Sequence, residues 1–464
     1  MPREIITSGV EMALGSESVH GMWSSRLMFV LAAAGSAVGL GNIWRFPYVA
    51  GENGGGAFVL VYLGCIFLIG VPIMSAEILL GRAGRQSPIN AMRDLAAHSN
   101  ANPLWQAVGW MGALAGFMIL SFYAVIAGWA MSYIFQMGAG DFTGTTAAQA
   151  GAAFNNLTSD VWSVVGWHTV FMLMTLGIAA RGVGAGLEAT VKVLMPALFA
   201  LLVVLVIYSA VTSGRFVDGL SFLFSFNVDK LTWDGVLIAM GQAFFTLSLG
   251  MGAIMAYGAY IPKDVSIIST ATTIALLDTS VALMSGLVIF PLVFANGLES
   301  SAGPGLMFVT LPLAFGQMAG GAFFGAIFFL LVTFAAITSS ISLLEPAIAW
   351  LIERLKTTRV TAALIVGGTA WFIGLGSAFS FNIWSDVYFI NEMTFFDLMD
   401  YGSNNILLPL GGVFIALFAG WALDAEITRD QLSTSSPLVY KAWRFVTRFI
   451  APAAVFFVFL LAFF

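Results

Sequence analysis

The feature that most constrains this chain is an apolar run from about Leu27 to Tyr48 that is long enough to cross a bilayer yet interrupted in its middle. A membrane-spanning helix takes roughly 20 apolar residues. Within the run, Gly35-Ser36-Ala37-Val38-Gly39-Leu40-Gly41-Asn42 places three glycines in seven positions, and Asn42, Arg45 and Pro47 follow. Glycine inside a helix costs about 1 kcal/mol relative to alanine, and proline about 3. At mid-membrane a helix can break only where the freed amides and carbonyls face protein, water or a ligand. Two readings are open on this stretch alone: a close-packing glycine face, or a broken helix whose exposed backbone binds something. A second stretch decides between them. Gly241-Gln242-Ala243-Phe244-Phe245-Thr246-Leu247-Ser248-Leu249-Gly250-Met251-Gly252 again mixes hydroxyls with closely spaced glycines in mid-run, 200 residues and more further on. Two interrupted spans in corresponding positions of two halves are the strongest sequence pointer to a secondary transporter's binding site, a rule itself drawn from transporters of this kind.

The rest of the composition agrees with a membrane chain. Of 464 residues, 59% are hydrophobic and 9% charged, against about 25% charged in an ordinary soluble domain. The expectation is a polytopic membrane protein with no soluble domain of useful size. A single cysteine, Cys65, excludes an internal disulfide. Residues 1–25 are polar and mildly acidic, so a cytoplasmic N-terminal segment without a cleavable signal is expected. Nothing is basic enough to suggest nucleic acid.

Apolar runs at roughly 27–48, 57–80, 104–136, 162–180, 188–211, 235–261, 267–296, 318–352, 360–380, 393–423 and 438–464 predict eleven spans. With the N-terminus inside, fifteen Lys and Arg fall in cytoplasmic segments and two, Arg215 and Lys230, outside, with Arg45 within the first span. That asymmetry sets the orientation and leaves Phe464 on the far side. Gly138 to Asp160 reads as an exposed outer loop. Gly214 to Trp233 is a second outer connection, and Leu298 to Gly316, with Gly303-Pro304-Gly305, is expected to fold back onto the protein.

Gly35 to Pro47, Glu52-Asn53-Gly54-Gly55-Gly56-Ala57-Phe58, Phe244 to Gly252 and Thr338-Ser339-Ser340 resemble the neurotransmitter:sodium symporter family, bacterial amino acid transporter branch, over nearly the whole chain. The resemblance implies an all-α integral membrane fold. Two inverted five-helix repeats, here 26–211 and 212–424, carry broken helices 1 and 6, and one extra helix occupies 425–464. It implies a bacterial inner-membrane protein, monomeric or a weak homodimer, carrying an amino acid with Na+, two ions being expected.

Half-helix N-termini suit a carboxylate and C-terminal carbonyls suit an ammonium or metal cation. By resemblance, the substrate carboxylate meets the amides near Leu40 and Gly41 and the Tyr123 hydroxyl. Its ammonium meets the carbonyls of Ala37, Phe245 and Thr246, with Ser248 close by. The side chain would lie among Ile119, Ile126, Phe245, Met251, Ser339 and Leu343, and Ser36 is a further candidate for selectivity. Where amine transporters of the family carry an aspartate, this chain has Gly39, so the substrate should bring its own carboxylate. The apolar lining favours a neutral, hydrophobic or aromatic L-amino acid.

Sodium wants oxygen ligands. One site maps onto Ala37, Asn42, Thr246, Asp278 and the substrate carboxylate; the other onto the carbonyls of Gly35, Val38 and Ala335 with the hydroxyls of Thr338 and Ser339. Asp278 stands where asparagine is commoner, and Ala282 where chloride-dependent relatives have serine. An ionised carboxylate in the membrane needs a partner. Asp278 therefore reads as a built-in substitute for chloride, the alternative being a protonated, merely packed aspartate.

Arg45 and Asp400 resemble an outer ion-pair gate, with Phe245 and Tyr123 as an aromatic lid. Glu77 and Gln242 resemble supports of the unwound backbone. Inside, Trp23 and Tyr260 match the family latch, but its arginine is His20 here and its aspartate is Glu353. A near-solvent His20–Glu353 pair, worth no more than about 1 kcal/mol, and latching by Arg26 both remain open.

Two other functions compete. A passive channel wants a continuous polar pore, whereas the polar groups here cluster at one depth. An enzyme lacks a constellation: His20, His98 and His168 are expected at loops or span ends, and no catalytic motif appears. A symporter for another small zwitterion remains a further alternative.

Overall fold

The computed structural model describes residues 20–227, 229, 231–298, 305–390 and 392–461. Expectations for Arg3 and the first nineteen residues, Lys230, Gly303-Pro304 and Phe464 lie outside the described residues. Among those described there is no strand beyond one isolated bridge, Ile390 with Met393. All-helical architecture is what lipid demands, because a helix satisfies its backbone within itself.

Among the described residues, eight helices are long and apolar enough to span a membrane: Gly56–Gly84, Pro103–Ala139, Val161–Ala179, Val183–Thr212, Ile267–Ala295, Gly321–Leu355, Arg359–Phe379 and Phe395–Ala422. Arg26–Ala37 and Gly41–Glu52 form a ninth, bent by 56° at the predicted break. The remaining apolar runs are occupied by Trp233–Thr246 with Ala253–Gly258, and by Pro437–Phe445 running through Val446–Ile450 into Ala451–Leu461. Pro103–Ala139 and Gly321–Leu355 are the innermost, 78% and 83% buried over their most apolar windows, against 28% for Val161–Ala179. They pack closely because Gly116 faces a backbone: a Cβ there would lie 2.8 Å from the Leu343 carbonyl oxygen.

The second break has a local cause. Trp233–Thr246 ends at Leu247, and Ser248, Gly250 and Gly252 all take positive φ before Ala253–Gly258 resumes. At Gly250 a side chain is also sterically forbidden, since a Cβ would sit 2.4 Å from the Leu408 carbonyl oxygen.

Two expectations are corrected, and one connection gains a helix. Gly138 to Asp160 is not an open loop: Ala147–Ser159 is a helix, held by a capping box between Thr146 and Gln149. Gly214 to Trp233 contains the helix Phe216–Phe224. His168 lies within Val161–Ala179 and is fully buried, with Nε2 3.2 Å from the Trp371 carbonyl oxygen. By contrast, Leu306–Thr310 and Leu311–Gly316 do fold back, with almost every side chain buried.

Candidate functional site

The two breaks face each other. A small cavity of about 30 Å³ between them is lined by Ser36, Ala37, Gly39, Leu40, Gly41, Ile119, Tyr123, Phe245, Ser248, Met251, Ser339 and Leu343. Of the residues assigned to substrate from the sequence, Ile126 and Thr246 do not line it. Gly39 was not among them, and its role is steric: a Cβ would fall 2.8 Å from Ser339 Oγ and 2.9 Å from Tyr123 Oη. The cavity holds little more than a water, so an amino acid can enter only if its walls part.

The polar rim is made by backbone. The Leu40 amide donates to Tyr123 Oη at 3.5 Å, so the two donors expected to meet a carboxylate converge. Ser248 Oγ donates to the Ser36 carbonyl at 3.0 Å, pinning one break to the other. Ser36 Oγ donates to Ser342 Oγ at 2.7 Å, a partner not foreseen from the sequence. Two buried side chains hold the broken backbone in place. Glu77 Oε1 accepts the Gly250 amide at 2.7 Å, and Gln242 Nε2 donates to the Gly41 carbonyl at 2.9 Å.

Asn42, Thr246 and Asp278 converge on one point. Asn42 Nδ2 donates to Thr246 Oγ1 at 2.7 Å and to Asp278 Oδ1 at 2.7 Å, and Thr246 Oγ1 donates to Asp278 Oδ2 at 3.0 Å. Asp278 is fully buried, and none of the ion pairs among the described residues includes it. A second oxygen-rich spot lies across the cavity. Ser339 Oγ is 3.3, 3.3 and 3.1 Å from the carbonyl oxygens of Gly35, Ser36 and Val38. A hydroxyl has one proton to donate, so it cannot serve all three, and the uncommitted lone pairs suit a hard cation. Thr338 Oγ1 donates to the Ala335 carbonyl at 3.0 Å, and a Cβ on Gly35 would be 3.1 Å from Thr338 Cβ, which brings all five expected ligands together.

The outer closure differs from expectation. Arg45 and Asp400 form no ion pair within 4.0 Å. Instead the Arg45 guanidinium lies over the Phe245 ring, 4.7 Å from its centroid, and Asp400 Oδ1 accepts Asn404 Nδ2 at 2.6 Å. Phe245 in turn covers Gly41, where a Cβ would be 2.7 Å from the ring. Above this lid lies a vestibule of about 300 Å³ that includes Arg45, Asp234 and Asn404.

The inner closure is more elaborate than the sequence suggested. His20 Nε2 lies 2.8 Å from Glu353 Oε1, with side chains 2% and 8% exposed, so the pair is buried and not near solvent. Glu353 also accepts the Ser87 amide at 2.7 Å and Asn90 Nδ2 at 2.6 Å. Arg26 does not reach it and donates to Thr270 and Ser269. Trp23 is clamped by backbone: its amide donates to the Tyr260 carbonyl at 2.9 Å and its indole N–H to the Tyr257 carbonyl at 3.0 Å. The Tyr260 hydroxyl donates to Glu345, which pairs with Arg359. Sequence reading missed that pair, although a glutamate in an apolar run needs a partner and Arg359 begins the next helix.

Two broken helices face one small buried cavity, which is the arrangement of a membrane transporter's binding site. The chain belongs to the sodium:neurotransmitter symporter family, which matches residues 20–148 and 149–464, and it is a sodium-dependent symporter. It is 37% identical to an uncharacterized sodium-dependent transporter, YhdH, of Bacillus subtilis, over 96% of this chain and 98% of that one. The sodium- and chloride-dependent GABA transporter 2 of Mus musculus is 26% identical, over 92% and 77% of the two chains. The crystal structure of MhsT in complex with L-phenylalanine is similar with a TM-score of 0.87 at 43% identity, covering 95% of this chain and 99% of that one.

Proposed function

We propose that this protein imports a neutral, hydrophobic or aromatic L-amino acid together with two Na+ ions, by alternating access and without chloride. The reading further places eleven spans in a bacterial inner membrane with the N-terminus cytoplasmic. Residues 26–211 and 212–424 are taken as inverted repeats and 425–464 as an added helix. The observation that carries it is the cavity itself: amide and hydroxyl donors at Leu40 and Tyr123, carbonyls at the breaks, and an otherwise apolar wall of Ile119, Phe245, Met251 and Leu343. The structure neighbour crystallised with L-phenylalanine supports the same substrate class.

Sodium is cargo here as well as ligand. Ala37, Asn42, Thr246 and Asp278 would hold one ion beside the substrate carboxylate. Gly35, Val38, Ala335, Thr338 and Ser339 would hold the other, stitching the first break to Gly321–Leu355. Because each ion bridges elements that must separate for release, its binding favours the closed arrangement, which is how its gradient couples to the amino acid. Two positive charges crossing 100 mV supply about 4.6 kcal/mol, or about three decades of accumulation. The Phe245 lid and the Glu353 network then act as alternate closures.

Thermal-shift screening of amino acids with and without Na+, followed by counterflow in proteoliposomes, tests the reading. Hydrophobic or aromatic amino acids should stabilise the protein only in Na+ and should exchange. Stabilisation by another zwitterion instead would reassign the substrate, and ion flux without counterflow would favour a channel.

A further inference from the structure

We propose that a basic cleft at the end of the chain opposite the lid binds the phosphate headgroup of an anionic phospholipid. A cavity of about 600 Å³ opens between the helix Ala425–Gln431 and the start of Pro437–Phe445. Four cations line it, Arg429, Lys441, Arg444 and Arg448, and no carboxylate does. None of the four forms an ion pair within 4.0 Å among the described residues. Two nearby acids are engaged elsewhere, Asp424 accepting the Glu426 amide at 2.9 Å and Asp430 accepting Gln431 Nε2 at 3.0 Å, and Glu426, exposed on the same helix, does not line the cleft.

The cations are placed, not merely gathered. Lys441, Arg444 and Arg448 follow one another at helical spacing, so they share a face. Arg444 is anchored by donating to Tyr440 Oη at 2.5 Å and Thr428 Oγ1 at 3.1 Å. Arg448 lies over the Trp421 ring, 5.0 Å from its centroid, while the Trp421 indole donates to the Arg448 carbonyl at 3.0 Å. Preorganised, unpaired cations around a headgroup-sized space recognise a phosphodiester.

The surroundings favour a lipid over a soluble phosphate. Trp421, Phe445 and Phe449 form a continuous strip of ring contacts beside the cleft, yet all three stay exposed, at 55%, 57% and 47%. Exposed aromatics flanking basic side chains at a helix end mark the membrane interface. A phosphate held by the four cations would have its acyl chains lie along that strip. The orientation proposed above would put the cleft at the inner leaflet, and the site itself does not depend on that orientation.

The test uses the whole purified protein in neutral detergent, titrated with short-chain phosphatidylglycerol, the equivalent phosphatidylcholine, and glycerol 3-phosphate, read by thermal shift and by lipid retained in native mass spectrometry. Phosphatidylglycerol should bind and phosphatidylcholine should not. Arg429→Gln with Lys441→Gln, both exposed positions, should weaken phosphatidylglycerol about thirtyfold, as expected for two cations facing an anionic headgroup. Removing two exposed cations elsewhere, Arg354→Gln with Lys356→Gln, should leave binding unchanged. Equal losses in the two double variants would overturn the site, and so would unaltered binding in the first. Glycerol 3-phosphate matching phosphatidylglycerol would overturn the lipid. Failure of amino acid counterflow would bear on the transport reading alone.

Discussion

Replacing Asp278 by asparagine separates its two readings, because the substitution removes a charge while preserving shape. Asp278 is fully buried and receives only neutral donors, Asn42 Nδ2 at 2.7 Å and Thr246 Oγ1 at 3.0 Å. Two hydrogen bonds do not offset the cost of burying an ionised carboxylate, so Asp278 is either protonated or paired with a cation, and the proposed Na+ would be that cation. A unit charge about 4 Å away contributes about 4 kcal/mol at an effective dielectric constant of 20, or about three decades in binding. The asparagine keeps one oxygen for the ion but none of that attraction. The Na+ concentration for half-maximal uptake should therefore rise by two to three decades (order of magnitude, from the same Coulomb figure), measured in proteoliposomes with gluconate as the anion. Ala282 lies one helical turn further along the same helix and is also buried. Adding Ala282→Ser should thus return part of the uptake once chloride is supplied. Wild-type uptake should be the same in gluconate and chloride. If Asp278→Asn keeps the wild-type Na+ dependence in gluconate, the aspartate is a neutral packing group and the charge argument fails.

Three further outcomes follow from the same geometry. Thr338→Ala with Ser339→Ala removes both hydroxyls of the second oxygen cluster, so concentrative uptake should vanish; normal accumulation by the double variant would mean that the ion sits elsewhere. Met251→Phe overfills a tight cavity at a cost of about 1–3 kcal/mol, and should penalise tryptophan and phenylalanine about tenfold more than alanine or valine in competition assays. The His20–Glu353 contact closes a buried network, so His20→Ala should lower the inward-closed population in spectroscopic distance measurements. His20→Arg should keep that form; unchanged distances in His20→Ala would show that the contact is not a latch.

Much of this was legible before any coordinates. The breaks at Gly35–Asn42 and Gly241–Gly252 are local matters, since glycine and proline penalties act within a turn or two and need no knowledge of neighbours. The count of Lys and Arg predicts an orientation, and the resemblance leads to the proposal that Asp278, Thr338 and Ser339 hold ions. What local rules could not reach was which groups share a contact. Asn42, Thr246 and Asp278 meet across intervals of 204 and 236 residues, and nothing in helical periodicity reports such distances. The expected Arg45–Asp400 pair gives way to Arg45 over Phe245, a ring brought there by a different span. Glu353 gathers His20, Ser87 and Asn90 from two other segments, so a pair expected near solvent becomes a buried network. His168 looked like a span-end residue but is buried within its helix, with Nε2 held by a carbonyl 203 positions away. In each case the backbone's own preferences place the helix or its break, while the partners of a polar side chain depend on how separate helices pack, and packing is settled by the whole chain at once.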